Sequence, residues 1–358
     1  MTELAEIPSS RDTPPPSQPP QGNQQHDDQG SRKLLGRAVR ISRVDKIGAV
    51  YVLAAIIVLF SVWKPELFPT TATVKSVLNE NSIAALAALA LIVPLATGVY
   101  DLSIGYVMAL CSVLLAALIV EHHVAIPIAI AIALSMSLVV GLVNAFFVVI
   151  VGIDSFIVTL GTGSLLQAVN LLISNDETVT NAQMNTQLGK VATTELIGLQ
   201  IPVFVVIGVV LLLWWLLERT VTGRRLYATG FNEEAARLAG VRTRRLRFGG
   251  LMISAVVAAL AGLMLTAQIG AGDPDIGPAY LLDAFAAAFL GATQIRSGRF
   301  NAVGTVIAVL VLGTGTAGLT LIGAQAWALN MYTGVVLLIA LALTKLERQQ
   351  VRTGRASS

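Results

Sequence analysis

Ten apolar segments, with nearly all lysines and arginines on one side of them, are the feature that most constrains this chain. A helix needs about 20 apolar residues to span the core of a bilayer, and the segments approach that length. Only 13% of the 358 residues are charged, against roughly 25% in soluble domains. The pattern predicts an all-α integral membrane protein with about ten transmembrane helices. The predicted spans are 48–63, 82–98, 103–121, 125–151, 155–173, 201–217, 248–269, 279–295, 301–322 and 327–344.

The basic residues predict the orientation of these spans. If the connecting segments alternate between the two sides of the membrane, starting inside, then 21 of the 24 lysines and arginines lie inside. Only Lys64, Lys75 and Lys190 lie outside. Basic connecting segments are retained in the cytoplasm, so both termini and the loop 218–247 are predicted to be cytoplasmic. The net charge of +3 is explained by residues that face anionic lipid headgroups, and it indicates no nucleic-acid partner.

Polar sequence at both ends flanks one membrane domain. Residues 1–46 contain six of the 13 prolines and too little apolar surface to order themselves. They are predicted to form a disordered, basic and proline-rich cytoplasmic tail. Residues 47–345 form the predicted transmembrane domain, and 346–358 a short cytoplasmic tail. Two predicted outer stretches, 64–81 and 174–200, are long enough to receive a docking partner or to serve only as solvated connectors.

Two of the predicted spans depart from the simple length. The span 82–98 is short and contains Pro94, and the span 125–151 is long. Such spans are typical either of helices interrupted around a cavity or of tilted and kinked helices. The sequences DLSIG (Asp101–Gly105) and DPDIG (Asp273–Gly277) share three of five residues and lie five spans apart, on opposite predicted faces. An inverted five-plus-five repeat has this arrangement, although a match this short also arises by chance.

The loop between the sixth and seventh spans contains a segment that reads as one short helix, from Gly230 to Gly240. Asn232 can cap its start, and Glu233 and Glu234 suit the positive end of the helix dipole. Gly240 can end it. Such a helix either fits into a groove of a neighbouring protein or lies on the lipid headgroups, and both interpretations stay open. Its small and apolar side chains are Ala235, Ala236, Leu238 and Ala239.

Several polar side chains fall within or beside the apolar spans, where an ionised group costs at least about 2.5–3.5 kcal/mol. Asp101 is either the start of a turn and the N-cap of the third span or part of a passage through the bundle. Asp283, near the outer end of the eighth span, is either a helix cap or part of the passage. Most uncharged polar residues in membrane helices contact other helices, and a minority line a passage. The candidates for the passage are Asp101, Ser103, Asn144, Phe156, Thr159 and Asp283.

The sequence contains no recognisable catalytic or nucleotide-binding motif. The one Gly-Lys pair, Gly189-Lys190, is followed by Val191 and lacks the upstream glycine of a phosphate-binding loop. One cysteine and three histidines offer no metal-ligand spacing, and the G-x-S-x-G motif of serine hydrolases is missing. We therefore expect no enzyme activity, no metal site and no cofactor bound by this chain.

Seven short motifs occur in a fixed order between about residues 82 and 343. They are DLSIG at 101–105, GLVN at 141–144, FIVTLGT at 156–162, GRRLYATG at 223–230 with the helix that follows, the segment Ala258 to Leu265, LDAFAA at 282–287, and GT at 304–305. Together they resemble the permease subunits of ABC importers, in the ribose-type branch that takes up monosaccharides with a separate binding protein.

The resemblance implies the ABC importer permease fold and a membrane-spanning permease that moves a pentose, hexose or related polyol into the cytoplasm. It implies a second permease subunit, as in a homodimer, and two ATPase domains that use ATP and magnesium. It also implies a periplasmic or lipid-anchored sugar-binding protein and a location in the bacterial plasma (inner) membrane. The residues implied to couple the permease to the ATPases are Gly230, Asn232, Glu233, Glu234, Ala235, Ala236 and Gly240.

The chain also departs from the family's pattern, and one rival function stays open. The family usually has proline at Ser155, glycine at Ala145, Phe231 and Ser297, and glutamate at Leu281. Substrate choice or gating near Leu281 and Ser297 is therefore expected to differ. The alternative function is a stand-alone secondary transporter or channel for a small polar solute. It would need buried acids as coupling-ion ligands, and the centres of the spans are almost without charge.

Overall fold

The computed structural model describes residues 48–181, 188–190, 192, 194–294 and 298–354, with side chains up to residue 342. The predicted tail 1–46 lies outside the described residues. The helices are α1 (Gly48–Trp63), α2 (Thr71–Ala96), α3 (Ile104–Val120), α4 (Ile126–Ala145), α5 (Ser155–Ser174), α6 (Ile201–Trp214), α7 (Val221–Phe231), α8 (Glu233–Leu238), α9 (Thr243–Ile269), α10 (Ile276–Ala292), α11 (Ala302–Leu321) and α12 (Ala326–Gly354). Two π-helical turns, Phe146–Val151 and Trp215–Arg219, extend α4 and α6. The strands are β1 (Val179–Thr180), β2 (Glu195–Leu196), β3 (Leu199–Gln200) and β4 (Ala271–Gly272).

Each of the ten predicted spans coincides with a helix. Six helices are long and apolar enough to cross a membrane: α2, α5, α9, α11, and α4 and α6 with their π-helical turns. The shorter apolar helices are α1, α3, α10 and the part of α12 up to Ala342. The prediction of a mostly helical membrane protein is confirmed, whereas the count of ten crossings stays a prediction.

The prediction of a short second span is wrong. α2 begins at Thr71 and contains 26 residues, so part of the predicted outer stretch 64–81 is helical. Thr70 caps its start, since Thr70 Oγ1 accepts a hydrogen bond from the Thr73 N–H at 3.1 Å. The first turns of α2 are polar, so a prediction based on apolar residues begins the span too late. Pro94 lies in the last turn, where a proline interrupts little of the helix.

The core of the bundle is built from α2, α3, α9 and α10, and α4 and α5 lie at its periphery. In the most apolar 18-residue window of α2, 67% of the residues are buried, and 61% in α9, but only 28% in α4 and in α5. Large apolar side chains such as Leu165 and Leu172 of α5 are 71% and 78% exposed. An apolar face of this kind suits contact with lipid or with another membrane subunit.

Two antiparallel strand pairs hold the segment between α5 and α6. β1 pairs with β4, with Val179 opposite Gly272, which joins this segment to the connection between α9 and α10. β2 and β3 form a hairpin, and the Gln200 N–H at its end donates to Asn79 Oδ1 of α2 at 3.1 Å. The predicted outer stretch 174–200 is thus attached both to α2 and to the start of α10.

Candidate coupling and pathway sites

The predicted short helix in the basic loop is two helices with a sharp break between them. α7 ends at Phe231, so Gly230 belongs to α7, and α8 covers only Glu233–Leu238. Asn232 interrupts the helix because its backbone is extended, with φ −157° and ψ 100°. The prediction of one helix from Gly230 to Gly240 is therefore wrong.

Both ends of α8 are closed by the caps that the sequence predicts. Asn232 Oδ1 accepts a hydrogen bond from the Ala235 N–H at 3.0 Å, which is the N-cap arrangement. At the other end, Gly240 has a φ of +81°, a left-handed conformation that glycine adopts without strain. Its N–H donates to the Arg237 carbonyl at 3.0 Å, as in a Schellman motif. The backbone groups of this short helix are thus satisfied locally.

α8 presents its last leucine outward and is tied to α9 through one glutamate. Leu238 is 81% exposed, whereas Ala236 is 6% exposed. Arg247 Nη1, on α9, donates to the two carboxylate oxygens of Glu233 at 3.0 and 3.2 Å. Exposed ion pairs add little stability, so this pair mainly orients α8. Leu238 is left available for contact with another protein.

α7 lies directly against the end of α2. A Cβ atom on Gly230 would collide with the Ala96 carbonyl oxygen and would lie 3.1 Å from the Gly98 nitrogen. On its other side, the Tyr227 hydroxyl donates to the Phe300 carbonyl at 2.7 Å. α7 therefore connects α8 both to the end of α2 and to the segment between α10 and α11.

Residues 97–103, which we call the internal break, join α2 to α3 without helical structure. Val99, Asp101 and Ser103 within it are 0%, 2% and 1% exposed. A buried non-helical backbone is tolerated only where neighbouring groups take up its hydrogen bonds. α2 continues past Pro94 to Ala96, so the helix is not interrupted within the predicted second span. The internal break coincides with the predicted connection between the second and third spans.

α5 supplies the partners for the backbone of the internal break. The Tyr100 N–H donates to Ser155 Oγ at 3.1 Å, and the Leu102 N–H donates to Thr159 Oγ1 at 3.0 Å. Thr159 is itself fully buried, and its hydroxyl donates to the Ser155 carbonyl at 2.8 Å. Two hydroxyls of one helix thus fix the course of the buried chain.

Four of the six predicted pathway residues meet at the internal break, because Thr159 is joined there by Asp101, Ser103 and Asn144. Asp101 Oδ1 accepts hydrogen bonds from the Ser103 N–H at 3.0 Å and from the Ser103 hydroxyl at 2.6 Å. Asn144 Nδ2, on α4, donates to Ser103 Oγ at 2.9 Å. Asp101 therefore starts a turn, as predicted. The N-cap position of α3 belongs to Ser103, so the prediction that Asp101 is the N-cap is wrong.

The two sequences of the faint repeat meet in the structure. Gly105 lies at the start of α3 and Gly277 at the start of α10, and their backbones touch. A Cβ atom on Gly105 would lie 2.9 Å from the Gly277 carbonyl oxygen, an approach that only small residues permit. Segments in contact cannot lie on opposite faces of a bilayer about 30 Å thick, so the prediction that these two do is wrong. The inverted repeat itself stays a prediction.

Phe156 and Asp283 lie apart from the internal break. Phe156 is 51% exposed on the outer face of α5. Asp283 faces the Thr333 hydroxyl of α12 and lines a small pocket that also includes Asn81. Because α10 begins at Ile276, Asp283 lies within the helix and does not cap it. That any of the six candidates lines a passage stays a prediction.

Two side chains that face the internal break from neighbouring helices are absent from the pathway residues predicted from sequence. Ser254 of α9 faces the Asp101 carboxyl, and it is the only polar residue between Gly250 and Leu265, a signal that could have singled it out. Ser155 stands where the resembling family usually has proline. Its hydroxyl accepts the Tyr100 N–H, which a proline could not do.

The other departures from the family's pattern have less visible roles. Ala145 is fully buried at the end of α4, and Phe231 is 45% exposed at the end of α7. Leu281 packs on the core from α10. Ser297 lies outside the described residues.

Comparison with known proteins identifies related sequences over most of this architecture. A family model described as "Branched-chain amino acid transport system / permease component" matches residues 73–341. The matched interval extends from the first turn of α2 into α12. It includes the internal break and both α7 and α8.

Similar proteins are sugar permeases that match along most of their own length. The ribose import permease protein of Bacillus subtilis (strain 168) is 31% identical over 302 residues, which are 84% of this chain and 93% of that protein. The D-allose transport system permease protein of Escherichia coli (strain K12) is 29% identical over 84% of this chain and 92% of its own. The fructose import permease protein of Rhizobium meliloti is 28% identical, over 82% and 83%. No solved structure matches the chain significantly.

Proposed function

Because the chain belongs to this family of transport-system permease components, we propose that it is the membrane-spanning subunit of an ABC importer for a monosaccharide. Its cargo is a pentose, a hexose or a related polyol, since relatives of nearly full length are permeases for ribose, allose and fructose. An uncharged cargo agrees with apolar spans that contain few ionisable groups. The protein is a multi-pass protein of the bacterial plasma membrane, with both termini in the cytoplasm.

The energy comes from two separate ATPase subunits that use ATP and magnesium and hold α8 from the cytoplasm. The observation that carries this proposal is the connection of α8 to the bundle. α8 is capped at both ends and exposes Leu238, and α7 joins it to the end of α2. Because Gly230 and Ala96 are in backbone contact, a displacement of α7 reaches the internal break without a flexible side chain in between.

Two further partners complete the proposed importer. A second copy of this chain encloses the passage together with the first, and the exposed apolar faces of α4 and α5 are available for that contact. A sugar-binding protein, periplasmic or lipid-anchored, docks on the outer stretch 174–200. This stretch carries Asp176, Glu177 and Glu195 against one lysine, Lys190. The β1–β4 pair attaches it to the start of α10.

The test is uptake of a labelled sugar in vesicles that contain this chain, its ATPase subunits and the binding protein. Leu238→Glu is expected to lower ATP-dependent uptake at least tenfold, because a charge in a docking contact that costs about 1.4 kcal/mol lowers affinity about tenfold. Copurification of the ATPase subunits with the permease is expected to fall in parallel. The amount of folded protein in the membrane is expected to stay constant, because Leu238 is exposed.

The matched control is Ile197→Glu in the β2–β3 hairpin, since Ile197 is 93% exposed and lies on the opposite side of the proposed membrane. This variant is the control for copurification only, since Ile197 lies in the stretch proposed to receive the binding protein, and it is expected to retain the ATPase subunits in full. Normal uptake and normal copurification with Leu238→Glu would contradict the coupling role of α8. Ion-driven uptake that survives removal of the ATPase subunits would favour the secondary transporter instead.

The identity of the sugar is open to a separate measurement. The binding protein of the same system, purified and screened against a panel of monosaccharides by thermal shift, is expected to be stabilised by one pentose, hexose or polyol. Stabilisation by amino acids and by no sugar would contradict the proposed cargo and leave the family membership intact.

A further inference from the structure

The internal break contains a buried carboxyl group without a charged partner. Asp101 is 2% exposed, and the ion pairs of the described residues do not include it. The groups that face it from α4 and α9 are the amide of Asn144, through Ser103, and the hydroxyl of Ser254. A buried carboxylate without a cation is strongly disfavoured, and such a group usually becomes neutral instead.

The hydrogen bonds of the break leave too few donors. The Ser103 hydroxyl gives its one proton to Asp101 Oδ1 at 2.6 Å and accepts from Asn144 Nδ2 at 2.9 Å. One buried acceptor of the same cluster, Asn144 Oδ1, then has no hydrogen-bond partner among the described residues. The Ser254 hydroxyl, which faces the Asp101 carboxyl, has a proton of its own and needs no added donor. An ionised carboxylate can only accept hydrogen bonds, whereas a protonated one has a proton to donate. One added proton would therefore supply the missing donor.

The start of α3 does not provide a strong alternative. Helix starts favour negative charge through their unpaired N–H groups. Within the described chain, however, the only backbone N–H that Asp101 accepts is that of Ser103. An ionised Asp101 would thus receive one backbone hydrogen bond and one hydroxyl hydrogen bond on Oδ1. The Ser254 hydroxyl also faces the carboxyl, but none of these groups carries a positive charge.

We propose that Asp101 binds a proton in the folded protein and, as a neutral acid, donates a hydrogen bond to Asn144 Oδ1 across the internal break. The proton-binding site consists of Asp101, Ser103, Asn144 and Ser254, which come from the break, α4 and α9. It makes the break electrically neutral, so the buried chain can lie between three helices without a counter-ion. This inference concerns the bundle itself and holds whatever the protein transports.

The proposal is tested by infrared spectroscopy of the purified full-length protein in lipid nanodiscs at neutral pH, in H₂O and in D₂O. A protonated carboxyl has a carbonyl stretch apart from the carboxylate bands, and this stretch shifts to lower frequency in D₂O. We expect such a band in the wild type and its loss in Asp101→Asn, which keeps the shape and the hydrogen-bond donor of a neutral acid. Asp283→Asn is the matched control, and the band is expected to remain in it.

A second variant keeps the proposal testable if Asp101→Asn does not fold. Asn144→Leu removes the acceptor, so the same band is expected to move to higher frequency while staying a protonated carboxyl. The absence of any such band in the wild type would show an ionised Asp101 and overturn the proposal, whichever variants fold. Loss of the band on addition of sodium chloride, but not of choline chloride, would identify a sodium site and also overturn it.

Discussion

Helical structure is interrupted at two places, and at each the backbone groups without helical hydrogen bonds find their partners in a different way. In the internal break, the partly buried N–H groups of Tyr100 and Leu102 donate to Ser155 and Thr159 of α5. At the surface break between α7 and α8, Asn232 caps α8 with its own side chain, and Gly240 closes the other end. The first break depends on distant parts of the chain, and the second depends on residues within a few positions.

This difference teaches which parts can move separately. In a membrane, unpaired backbone groups cost several kcal/mol each, so the internal break is stable only while its neighbouring helices stay in place. α8 keeps its hydrogen bonds wherever it moves. We therefore expect changes at the internal break to affect the whole bundle and changes at the surface break to stay local. The Gly230 contact joins the two regions and should be the most sensitive position.

Gly230→Ala is expected to have the largest effect. Its Cβ would collide with the Ala96 backbone, which cannot rotate away as a side chain can, and overpacking of this kind costs about 1–3 kcal/mol or more. We expect a large loss of thermal stability and of ATP-dependent uptake. Gly249→Ala is the matched control, since within the described residues a Cβ there meets nothing within 4 Å. Equal behaviour of the two variants would contradict the close contact.

Thr159→Val tests the internal break with nearly unchanged shape. It leaves the partly buried Leu102 N–H without its acceptor, a loss of about 1–3 kcal/mol, and we expect a lower unfolding temperature for the entire bundle. Thr162→Val, one turn further along α5, is the control, because no described hydrogen bond involves its side chain. If both variants have the same unfolding temperature as the wild type, the hydrogen bond from α5 does not stabilise the break.

Asn232→Ala should have a smaller and local effect. Loss of an N-cap costs about 1 kcal/mol, and hydrogen exchange is expected to become faster in α8 while the unfolding temperature of the bundle stays constant. Asn232→Asp keeps the capping oxygen and should restore the slow exchange. A lower unfolding temperature of the bundle with Asn232→Ala would show that the surface break is not independent.

Glu233→Gln is expected to have the smallest effect. Its ion pair with Arg247 is partly exposed, and such pairs contribute about 0.2–1 kcal/mol at most. A double-mutant cycle with Arg247→Gln, read by hydrogen exchange in α8, isolates this term. A coupling energy well above this range would mean that α9 holds α8 in place, and that α8 cannot move without the bundle.

The sequence predicts local features of this fold well and distant contacts poorly. Apolar length locates the ten apolar helices, and the capping residues Asn232 and Gly240 are recognisable because they act within a few positions. The first turns of α2 are missed because they are polar. The hydrogen bonds of the internal break join residues 55 and 41 positions apart, and no periodic pattern carries that information. The residue types alone marked Asp101 and Asn144 as candidates, but their hydrogen-bond partners are seen only in the structure.

The distance between the starts of α3 and α10 is fixed by a contact between two glycines, and any redesign of this protein has to keep it. Where Gly105 meets Gly277, the two main chains are in direct contact, so a methyl group on either residue would collide with the backbone of the other helix. A library randomised at either position should return almost nothing but the original residue.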